Sequence, residues 1–408
     1  MSQRRVVVTG LGSISALGLD RDAYWKAVSR GRSGIAEMQI VEPEHFSFQN
    51  GAEVRDYCPE DQFDRKQLFY LDRFSQFALT AAREAVAHSG IEWIPELQSR
   101  TGIVTGSSVG GQTTTDESFY QFYKEGRTRG RPLVIPRVMP NAAASHISME
   151  FGVTGPVFTL STACSSSNHA IGQAFWMVRS GLIDRAITGG SEAPFSYVNL
   201  RSWEALRVVA PDTCRPFSKD RKGMILGEGA GMLVIEEMEF ARARGATIYG
   251  EIIGLGMSAD ARHLTNPAHE GAAEAMRRAL QDAILEPSQI GYINAHGTGT
   301  AANDVMETRA IRLLFEDHAD ALAISSTKSM HGHALGAAGA LEAVATVLAL
   351  HHDWLPPTAN YREPDPACDL DVIPNEGRAA SVEWALSNSF AFGGLNAVLA
   401  FRGHPAES

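Results

Sequence analysis

Short apolar runs rich in β-branched residues alternate along the chain with longer alanine-rich segments whose apolar positions follow a helical period. RVVVTGLG is followed by DRDAYWKAVSRG, and FSQFALTAAREAVAHSG precedes TGIVTGSSVGG. The apolar runs predict buried strands, and the periodic segments predict helices. Continuous apolar strands are typical of sheets covered on both faces. The pattern therefore predicts an α/β architecture with the long alanine-rich helices in the interior.

A strand pattern and a turn rich in serine or glycine each occur twice in the chain. The pairs are VVVTGLGSIS at Val6–Ser15 with EIIGLGMSAD at Glu251–Asp260, and STACSSSNHA at Ser161–Ala170 with SNSFAFGGLNA at Ser387–Ala397. Such self-similarity indicates repeated structural units. We therefore predict a duplicated α/β unit with halves at 1–250 and 251–408, and we expect the two turns to face each other.

Composition places the chain among ordinary globular proteins and argues against some function classes. Its 408 residues, 44% hydrophobic and 20% charged, suffice for two or three domains or for two halves that share an interface. The net charge of -11 argues against a nucleic-acid-binding face, which concentrates lysine and arginine. The N-terminal apolar run is too short for a secretory signal or a spanning helix. We expect a cytoplasmic protein without a membrane span.

The four cysteines, Cys58, Cys164, Cys214 and Cys368, are far apart and form no CxxC pair, which predicts neither a disulfide framework nor a thiolate zinc site. Cys164 lies between small residues, before a predicted helix at Asn168–Arg179. Small neighbours leave its sulfur unshielded, and the positive end of a helix dipole favours the thiolate. Cys164 is thus a candidate nucleophile. The alternative is a small, buried and inert side chain.

Two histidine-bearing segments in the second half provide further candidates. In INAHGTGTAAND a strand is predicted to end at His296 in a turn, and in SSTKSMHGHALGAAGALE a loop carries Lys328 and His333 before an alanine-rich helix. Glycines beside both histidines permit close approach by a substrate, and the hydroxyls of Thr298 and Thr300 can bind a polar ligand. The alternative for each histidine is a solvated loop residue.

A metal site and a nucleotide site are weaker interpretations of the same residues. His331 and His333 lie two apart and Cys164 might join them, but no spacing motif such as HExxH is present. The glycines of GLGSIS and GEGAGM match neither the P-loop nor the dinucleotide fingerprint. We therefore predict no bound metal.

Four motifs in a fixed order narrow the interpretation: TACSS, NAHGTGT, TKSMHGHALGAAGALE and NSFAFGGLNA. Together they resemble the β-ketoacyl-acyl carrier protein synthases, elongating condensing enzymes of the thiolase fold, over essentially the whole chain. WEALRVVAPDTCRPFSKDRKG and PPTANYREPDPACDLDV further resemble the subgroup that contains nodulation protein E and type II polyketide ketosynthases. The resemblance implies duplicated βαβ halves in a layered αβαβα core.

The resemblance also implies roles for the candidate residues. Cys164 would accept an acyl chain as a thioester, and His296 and His333 would stabilise the charge formed when a malonyl-carrier protein loses carbon dioxide. Lys328, with Glu342 on the following helix, would set the charge state of His333. The backbone N–H groups of Cys164 and Phe392 would form the oxyanion hole, and the Phe392 side chain would gate the site.

Substrate contacts follow from the same resemblance. Thr298 and Thr300 correspond to threonines that contact pantetheine, and Phe390 belongs to the substrate pocket. Trp203 stands at an acyl-pocket position where phenylalanine is familiar, which predicts an altered chain preference. No cofactor of the enzyme's own is expected, because the phosphopantetheine arrives on the acyl carrier protein.

The expected partners are the acyl- and malonyl-loaded acyl carrier protein and a second ketosynthase chain, either an identical copy or a chain-length-factor paralogue. The predicted carrier-docking residues are basic: Arg65, Lys66, Arg207, Arg127 and Arg129. Members of the resembled family commonly carry further basic residues beside the positions of Arg65 and Lys66, where this chain has Phe69 and Tyr70. Such a cluster suits an acidic partner, although exposed arginines are often merely solvated.

Three other functions remain open at this point. The chain could be the inactive chain-length partner of a ketosynthase heterodimer, a cysteine hydrolase that uses Cys164 with one histidine, or a thiolase acting on coenzyme A. Retention of Cys164, His296 and His333 argues against the inactive partner, and the four motifs favour the two-histidine condensing class.

Overall fold

The computed structural model describes residues 4–404, and ten strands of these residues form one mixed sheet. Four further strands form two short ribbons, β2 with β3 and β11 with β12. The strands are β1 Val6–Ser15, β2 Ala36–Glu37, β3 Asn50–Gly51, β4 Thr101–Gly106, β5 Val157–Leu160, β6 Arg185–Glu192, β7 Gly229–Glu237, β8 Gly250–Ala259, β9 Tyr292–Asn294, β10 Ala323–Ser325, β11 Trp354–Leu355, β12 Arg378–Ala379, β13 Trp384–Ala391 and β14 Leu395–Gly403.

Helices connect most of the strands. They are α1 Arg21–Val28, α2 Arg65–Tyr70, α3 Arg73–Ser89, α4 Pro95–Ser99, α5 Gln112–Tyr123, α6 Val134–Val138, α7 Ala142–Phe151, α8 Ser166–Arg179, α9 Tyr197–Leu206, α10 Met238–Ala243, α11 His269–Ala283, α12 Ala301–Phe315, α13 Lys328–His331 and α14 Ala338–His351. Among residues 4–404, no helix is both long and apolar enough to cross a membrane.

The two halves of the large sheet have the same strand order. Outward from the centre, the first half runs β1-β7-β6-β4-β5 and the second half runs β8-β14-β13-β9-β10. Counted within each half, both orders are first, fifth, fourth, second, third, with antiparallel pairs near the centre and parallel pairs at the edge. β1 and β8 join the halves in antiparallel register, with Val6 opposite Ile252. The expected duplication is confirmed, whereas the division at residue 250 stays a prediction.

Helices form three layers around the two half-sheets. α8 and α14 lie in the middle, because each contacts strands of both halves, whereas α3 packs on β1 and α11 packs on β8 at the outer faces. Every residue of α14 from 338 to 350 is buried, which confirms the interior position expected for this alanine-rich helix. α3 differs, since one of its faces meets solvent. The result is the αβαβα thiolase arrangement.

Close packing explains why the sequence GLG occurs in both central strands. A Cβ at Gly10 or Gly12 in β1 would overlap carbonyl oxygens of α3, and a Cβ at Gly254 or Gly256 in β8 would overlap carbonyl oxygens of α11. Only glycine lets the outer helices approach this closely. The two strands therefore share this sequence because each of them packs equally closely against an outer helix.

Candidate active site

Cys164 lies in a tight turn between β5 and α8. Ala163 adopts the left-handed conformation with φ of 52°, and its carbonyl accepts hydrogen bonds from the Ser108 hydroxyl at 2.9 Å and the Ser166 hydroxyl at 2.6 Å. α8 begins at Ser166, two residues earlier than the helix predicted from sequence. The small polar residues at the start of α8 are buried and hold the turn in place. The Cys164 sulfur therefore lies near the N-terminus of α8.

The resting state of Cys164 differs from the expectation. Its side chain is not unshielded: the residue is only 7% exposed, and burial raises the pKa of the thiol to about 11. The Lys328 ammonium and the backbone N–H groups of Cys164 and Phe392 lower this pKa, but less than desolvation raises it. Cys164 and Phe392 line the same cavity, so the turn carrying Cys164 and the turn carrying Phe392 face each other, as predicted.

His296 and His333 converge on Cys164 from two loops of the second half. Both histidines are buried, their ring centroids are 5.4 Å apart, and one nitrogen of each ring lies within 4.8 Å of the other and of the Cys164 sulfur. Nδ1 of His333 accepts the Leu335 N–H at 3.2 Å, so a neutral His333 ring carries its proton on Nε2. The backbone N–H of His296 donates to the buried Glu307 at 2.8 Å, which fixes the loop that follows β9.

Lys328 and Glu342 form a buried ion pair behind the histidines. Lys328 starts the short helix α13, rather than lying in a loop as predicted, and Glu342 lies on α14. Burial lowers the pKa of both His296 and His333 well below the usual histidine value, and the Lys328 ammonium lowers it further. Both imidazoles are therefore neutral at neutral pH, and Lys328 acts on both of them and not on His333 alone.

One cavity contains the side chains of Cys164, His296 and His333. Phe390 lies edge-on to His296, and Trp203 stacks on Phe392 with ring centroids 6.0 Å apart and planes 25° from parallel. All three aromatic residues line the cavity with Cys164, so the structure brings together the residues expected for the reaction and for the acyl chain. The stacked pair forms part of the cavity wall.

Thr298 and Thr300 line the same cavity, where their hydroxyls lie 2.9 Å apart. Thr300 also caps α12, because its side chain accepts the Asn303 N–H. Sequence reasoning missed another part of the wall, which has no motif to mark it. These further lining residues are Val208, Met224, His263, Leu264, Thr265, Pro267, Ala302 and Asn303.

The loop at 260–268 belongs to this wall because it is hydrogen-bonded to the glycine turn after Phe392. The Gly393 N–H donates to the Leu264 carbonyl at 2.7 Å, and Asp260 accepts from the Asn396 side chain at 2.7 Å. The internal repeat could have identified the loop at 260–268, because this loop directly follows β8, the strand that corresponds to β1 in the second half.

Comparison with known proteins identifies this arrangement. The family model "Beta-ketoacyl synthase, N-terminal domain" matches residues 3–241, and "Beta-ketoacyl synthase, C-terminal domain" matches residues 249–362. The chain belongs to the β-ketoacyl synthase family. It is therefore a condensing enzyme of the acyltransferase class that acts in fatty acid or polyketide elongation.

The relatives of this β-ketoacyl synthase match nearly its whole length. It is 51% identical to "Nodulation protein E" of Rhizobium sp. (strain N33) and 40% identical to "3-oxoacyl-[acyl-carrier-protein] synthase 2" of Staphylococcus aureus (strain COL), and in each case 98% of this chain and 99% of the relative are covered. Among solved structures, the ishigamide ketosynthase/chain length factor is 37% identical with a TM-score of 0.94, covering 99% of this chain and 100% of that one.

A second structure adds a carrier protein. A type II PKS ketosynthase solved with its acyl-carrier protein and a bound hexaketide is 32% identical, with a TM-score of 0.89 over 99% of this chain and 100% of that one. The resemblances proposed from the motifs, to the synthase family and to its subgroup, are thus confirmed.

The predicted docking residues of this β-ketoacyl synthase lie outside the cavity, on surface elements. Arg65 and Lys66 lie on α2, which ends in an exposed, edge-to-face pair formed by Phe69 and Tyr70, 48% and 40% exposed. Arg207 follows α9, the helix that carries Trp203. The remaining two, Arg127 and Arg129, follow α5, and Arg127 pairs with Glu125. Their part in docking stays a prediction.

Cys164, His296 and His333 are also the residues of the described chain whose ligating atoms could hold a metal ion together. A thiolate and two imidazoles are good zinc ligands. The neutral histidines suit that role as well as hydrogen-bond donation. The metal-free site therefore stays a prediction, and the assay proposed below tests it.

Proposed function

We propose that Cys164, His296 and His333 carry out a decarboxylative Claisen condensation of a malonyl group with an acyl chain held on Cys164. The observation that carries this assignment is the convergence, in one cavity, of a buried sulfur, two backbone N–H groups that lower the pKa of its thiol and two neutral imidazoles. A nucleophile, an oxyanion hole and donors for a second developing charge are the three parts that such a reaction needs.

In the first half-reaction the Cys164 sulfur attacks the carbonyl carbon of an acyl thioester. The oxyanion of the tetrahedral intermediate lies between the N–H groups of Cys164 and Phe392, and the pantetheine thiol leaves with the proton of the Cys164 thiol. Because the resting thiol has a pKa of about 11, thiolate formation is coupled to substrate binding rather than completed beforehand.

In the second half-reaction the malonyl thioester loses carbon dioxide, and the electron pair of the broken bond forms an enolate. Its oxygen accepts hydrogen bonds from the imidazole N–H groups of His296 and His333. The enolate carbon then attacks the acyl-cysteine carbonyl, and the Cys164 thiolate leaves as the 3-oxoacyl chain forms on the carrier. Neutral imidazoles suit this task, since they donate without protonating the carbon first.

The Lys328–Glu342 pair supports both steps from behind. The ammonium charge disfavours protonation of either imidazole and favours the Cys164 thiolate. Glu342 supplies the counter-charge, without which a buried ammonium would be costly. We assign these two residues to positioning and electrostatic tuning rather than to contact with substrate.

Thr298 and Thr300 bind the pantetheine arm, which enters with the carrier protein, so the enzyme needs no cofactor of its own. Trp203 and Phe390 line the acyl side of the cavity, and Phe392 opens and closes it. The stacked pair supports this division, because its apolar rings line the cavity, while the threonine hydroxyls offer hydrogen-bonding groups in the wall of the same cavity.

The carrier protein docks through Arg65, Lys66, Arg127, Arg129 and Arg207. Local positive charge on a chain of net charge -11 supports an acidic partner. Solved structures of relatives with an acyl-carrier protein and with a chain length factor support a carrier complex and pairing with a second ketosynthase-like chain, identical or paralogous. We also propose the division into halves at 1–250 and 251–408 and a cytoplasmic location.

The test is intact-protein mass after incubation with a panel of acyl-carrier proteins, followed by malonyl-carrier protein, with Cys164→Ala as control. We expect the wild type to gain one acyl mass, the variant to gain none, and the adduct to be released as a 3-oxoacyl chain two carbons longer. Product yield should not change with EDTA. Absence of acylation by every carrier, also with a paralogous partner added, would overturn the proposal, and acyl release without malonyl-carrier protein would indicate a hydrolase.

A further inference from the structure

Glu192 is a fully buried carboxylate at the end of β6 that no step above uses. Each of its oxygens accepts two hydrogen bonds. Oε1 accepts from the Ser107 hydroxyl at 2.9 Å and the Val109 N–H at 3.3 Å, and Oε2 accepts from the Ser108 N–H at 2.6 Å and the Gly336 N–H at 3.0 Å. Burial raises the pKa of the Glu192 carboxyl, and the hydrogen bonds from its four donors oppose that rise. Four donors and no acceptor among them suit the ionised form, since a carboxylic acid would direct its own O–H at a donor.

Three of these donors belong to residues 107–109, a segment that contacts the turn carrying Cys164. Residues 107–109 follow β4, and the hydroxyl of Ser108 donates to the carbonyl of Ala163, the residue before Cys164. Ala163 has the left-handed backbone that lets the turn present the sulfur. The Glu192 carboxylate therefore holds the segment that holds the Cys164 turn.

The fourth donor, the Gly336 N–H, belongs to the loop that carries His333. Gly336 belongs to the turn Leu335–Ala337, and the Leu335 N–H donates to Nδ1 of His333. A Cβ at position 336 would lie 2.6 Å from Oε2 of Glu192, so only glycine fits between the two segments. The Glu192 carboxylate thus also holds the loop that sets the tautomer and orientation of His333.

We propose that Glu192 is a positioning residue that keeps the Cys164 turn and the His333 loop at a fixed separation. It does so by accepting hydrogen bonds from residues 107–109, which hold the Cys164 turn through Ser108, and from Gly336 in the His333 loop. This inference rests on the proposed function, because the separation matters only if both residues act on one substrate. A displacement of about 1 Å between reacting groups costs roughly 100-fold in rate. Glu192 touches no substrate and acts through the two loops.

A second property of Glu192 makes its role measurable. Its negative charge raises the pKa of the Cys164 thiol, opposite to the effect of Lys328. Loss of the charge and loss of the geometry should therefore have different signatures. Glu192→Gln removes the charge and gives a donor where donors already converge. Glu192→Asp keeps the charge but is one methylene too short to reach both loops.

The experiment measures three quantities on each folded variant: acyl transfer to Cys164, decarboxylation of malonyl-carrier protein, and the pH profile of Cys164 alkylation by iodoacetamide. Glu84→Gln is the matched control, because Glu84 is another largely buried carboxylate that accepts two backbone N–H groups, from Ser13 and Arg21, and it lines no part of the cavity. Melting temperatures of all variants measure the loss of stability that each substitution causes, at Glu192 and at Glu84.

We expect Glu192→Gln to lower both half-reactions about 100-fold and to shift the alkylation profile to lower pH. Glu192→Asp should lower the rates but leave the profile in place, and Glu84→Gln should change neither. Rates of Glu192→Gln within about twofold of the Glu84→Gln rates, or an unchanged alkylation profile, would overturn the proposal. If the wild type failed to acylate, the proposed function would fail, whereas the alkylation profile would still test the charge of Glu192.

Ser108→Ala keeps the experiment decisive if Glu192→Gln does not fold. It removes only the bond between the Ser108 hydroxyl and the Ala163 carbonyl. We expect acyl transfer to fall about tenfold, as for the loss of one hydrogen bond worth roughly 1.4 kcal/mol. Decarboxylation should stay within twofold of the wild type. Equal rates in both half-reactions for wild type and variant would contradict the proposed link to the Cys164 turn.

Discussion

The Lys328 ammonium contacts the Glu342 carboxylate, and both side chains are completely removed from solvent. Such a pair stabilises the fold only while both members are present, because either charge alone would be buried without compensation. The pair also couples stability to chemistry, since the same ammonium lowers the pKa of His296, His333 and Cys164.

Lys328→Met and Glu342→Leu should each destabilise the protein by about 3–5 kcal/mol, measured by urea unfolding at pH 7. The double variant should be more stable than the sum of the single changes indicates, because it leaves no unpaired charge. Additive losses in the double variant would show that the two groups do not depend on each other. Decarboxylation of malonyl-carrier protein should be lost in Lys328→Met.

Alkylation of Cys164 should report its high thiol pKa directly. With a pKa of about 11, the rate of reaction with iodoacetamide should rise about tenfold per pH unit between pH 7 and 10 without reaching a plateau. Peptide mass spectrometry is needed to count Cys164 alone, because Cys58 is exposed. Lys328→Met should lower the rate at every pH in this range. A plateau below pH 8 would mean that the resting site stabilises the thiolate.

The sequence predicted the fold because its signals were local and repeated. The apolar runs that became β1 and β8 are fully or largely buried, and the GLG in each reports a close helix contact that only glycine allows. The all-apolar pattern of α14 likewise requires an interior position. The strand order could not be deduced from these patterns, since pairing joins residues as distant as Val6 and Ile252.

The convergence of Cys164, His296 and His333 could also be predicted from sequence, but their environment could not. Small residues around Cys164 suggested an accessible sulfur, yet the loops of His296, His333 and Phe392 cover it. Burial therefore has the largest effect on the pKa of the thiol. Because segments distant in sequence produce this burial, no local motif could predict it. For the same reason Glu192 carried no signal, because its four donors come from segments up to 144 positions away.

Stability should fall as the pH rises through the titration of Glu84. Burial raises the pKa of this carboxyl to about 7 in the folded protein, from 4.5 for a free side chain. Between these values the folded state binds more protons than the unfolded state, so the free energy of unfolding decreases with pH, by about 3 kcal/mol in total. Urea unfolding from pH 4.5 to 8 should show a shallower decrease in Glu84→Gln than in the wild type. Parallel curves would contradict the assignment.

The stacking of Trp203 on Phe392 should limit the acyl chain that reaches Cys164. Both rings line the cavity that contains Cys164, so Trp203→Ala removes a large aromatic side chain from its wall and leaves the reacting groups unchanged. We expect kcat/KM for long acyl-carrier proteins to rise relative to short ones, by about 10-fold or more for each two-methylene step that the enlarged pocket accepts. Trp203→Phe is the matched control and should shift the preference less. Because His296 and His333 are unchanged, decarboxylation of malonyl-carrier protein should stay near the wild-type rate. An equal loss for all chain lengths would assign Trp203 to the structure of the site instead of to selection.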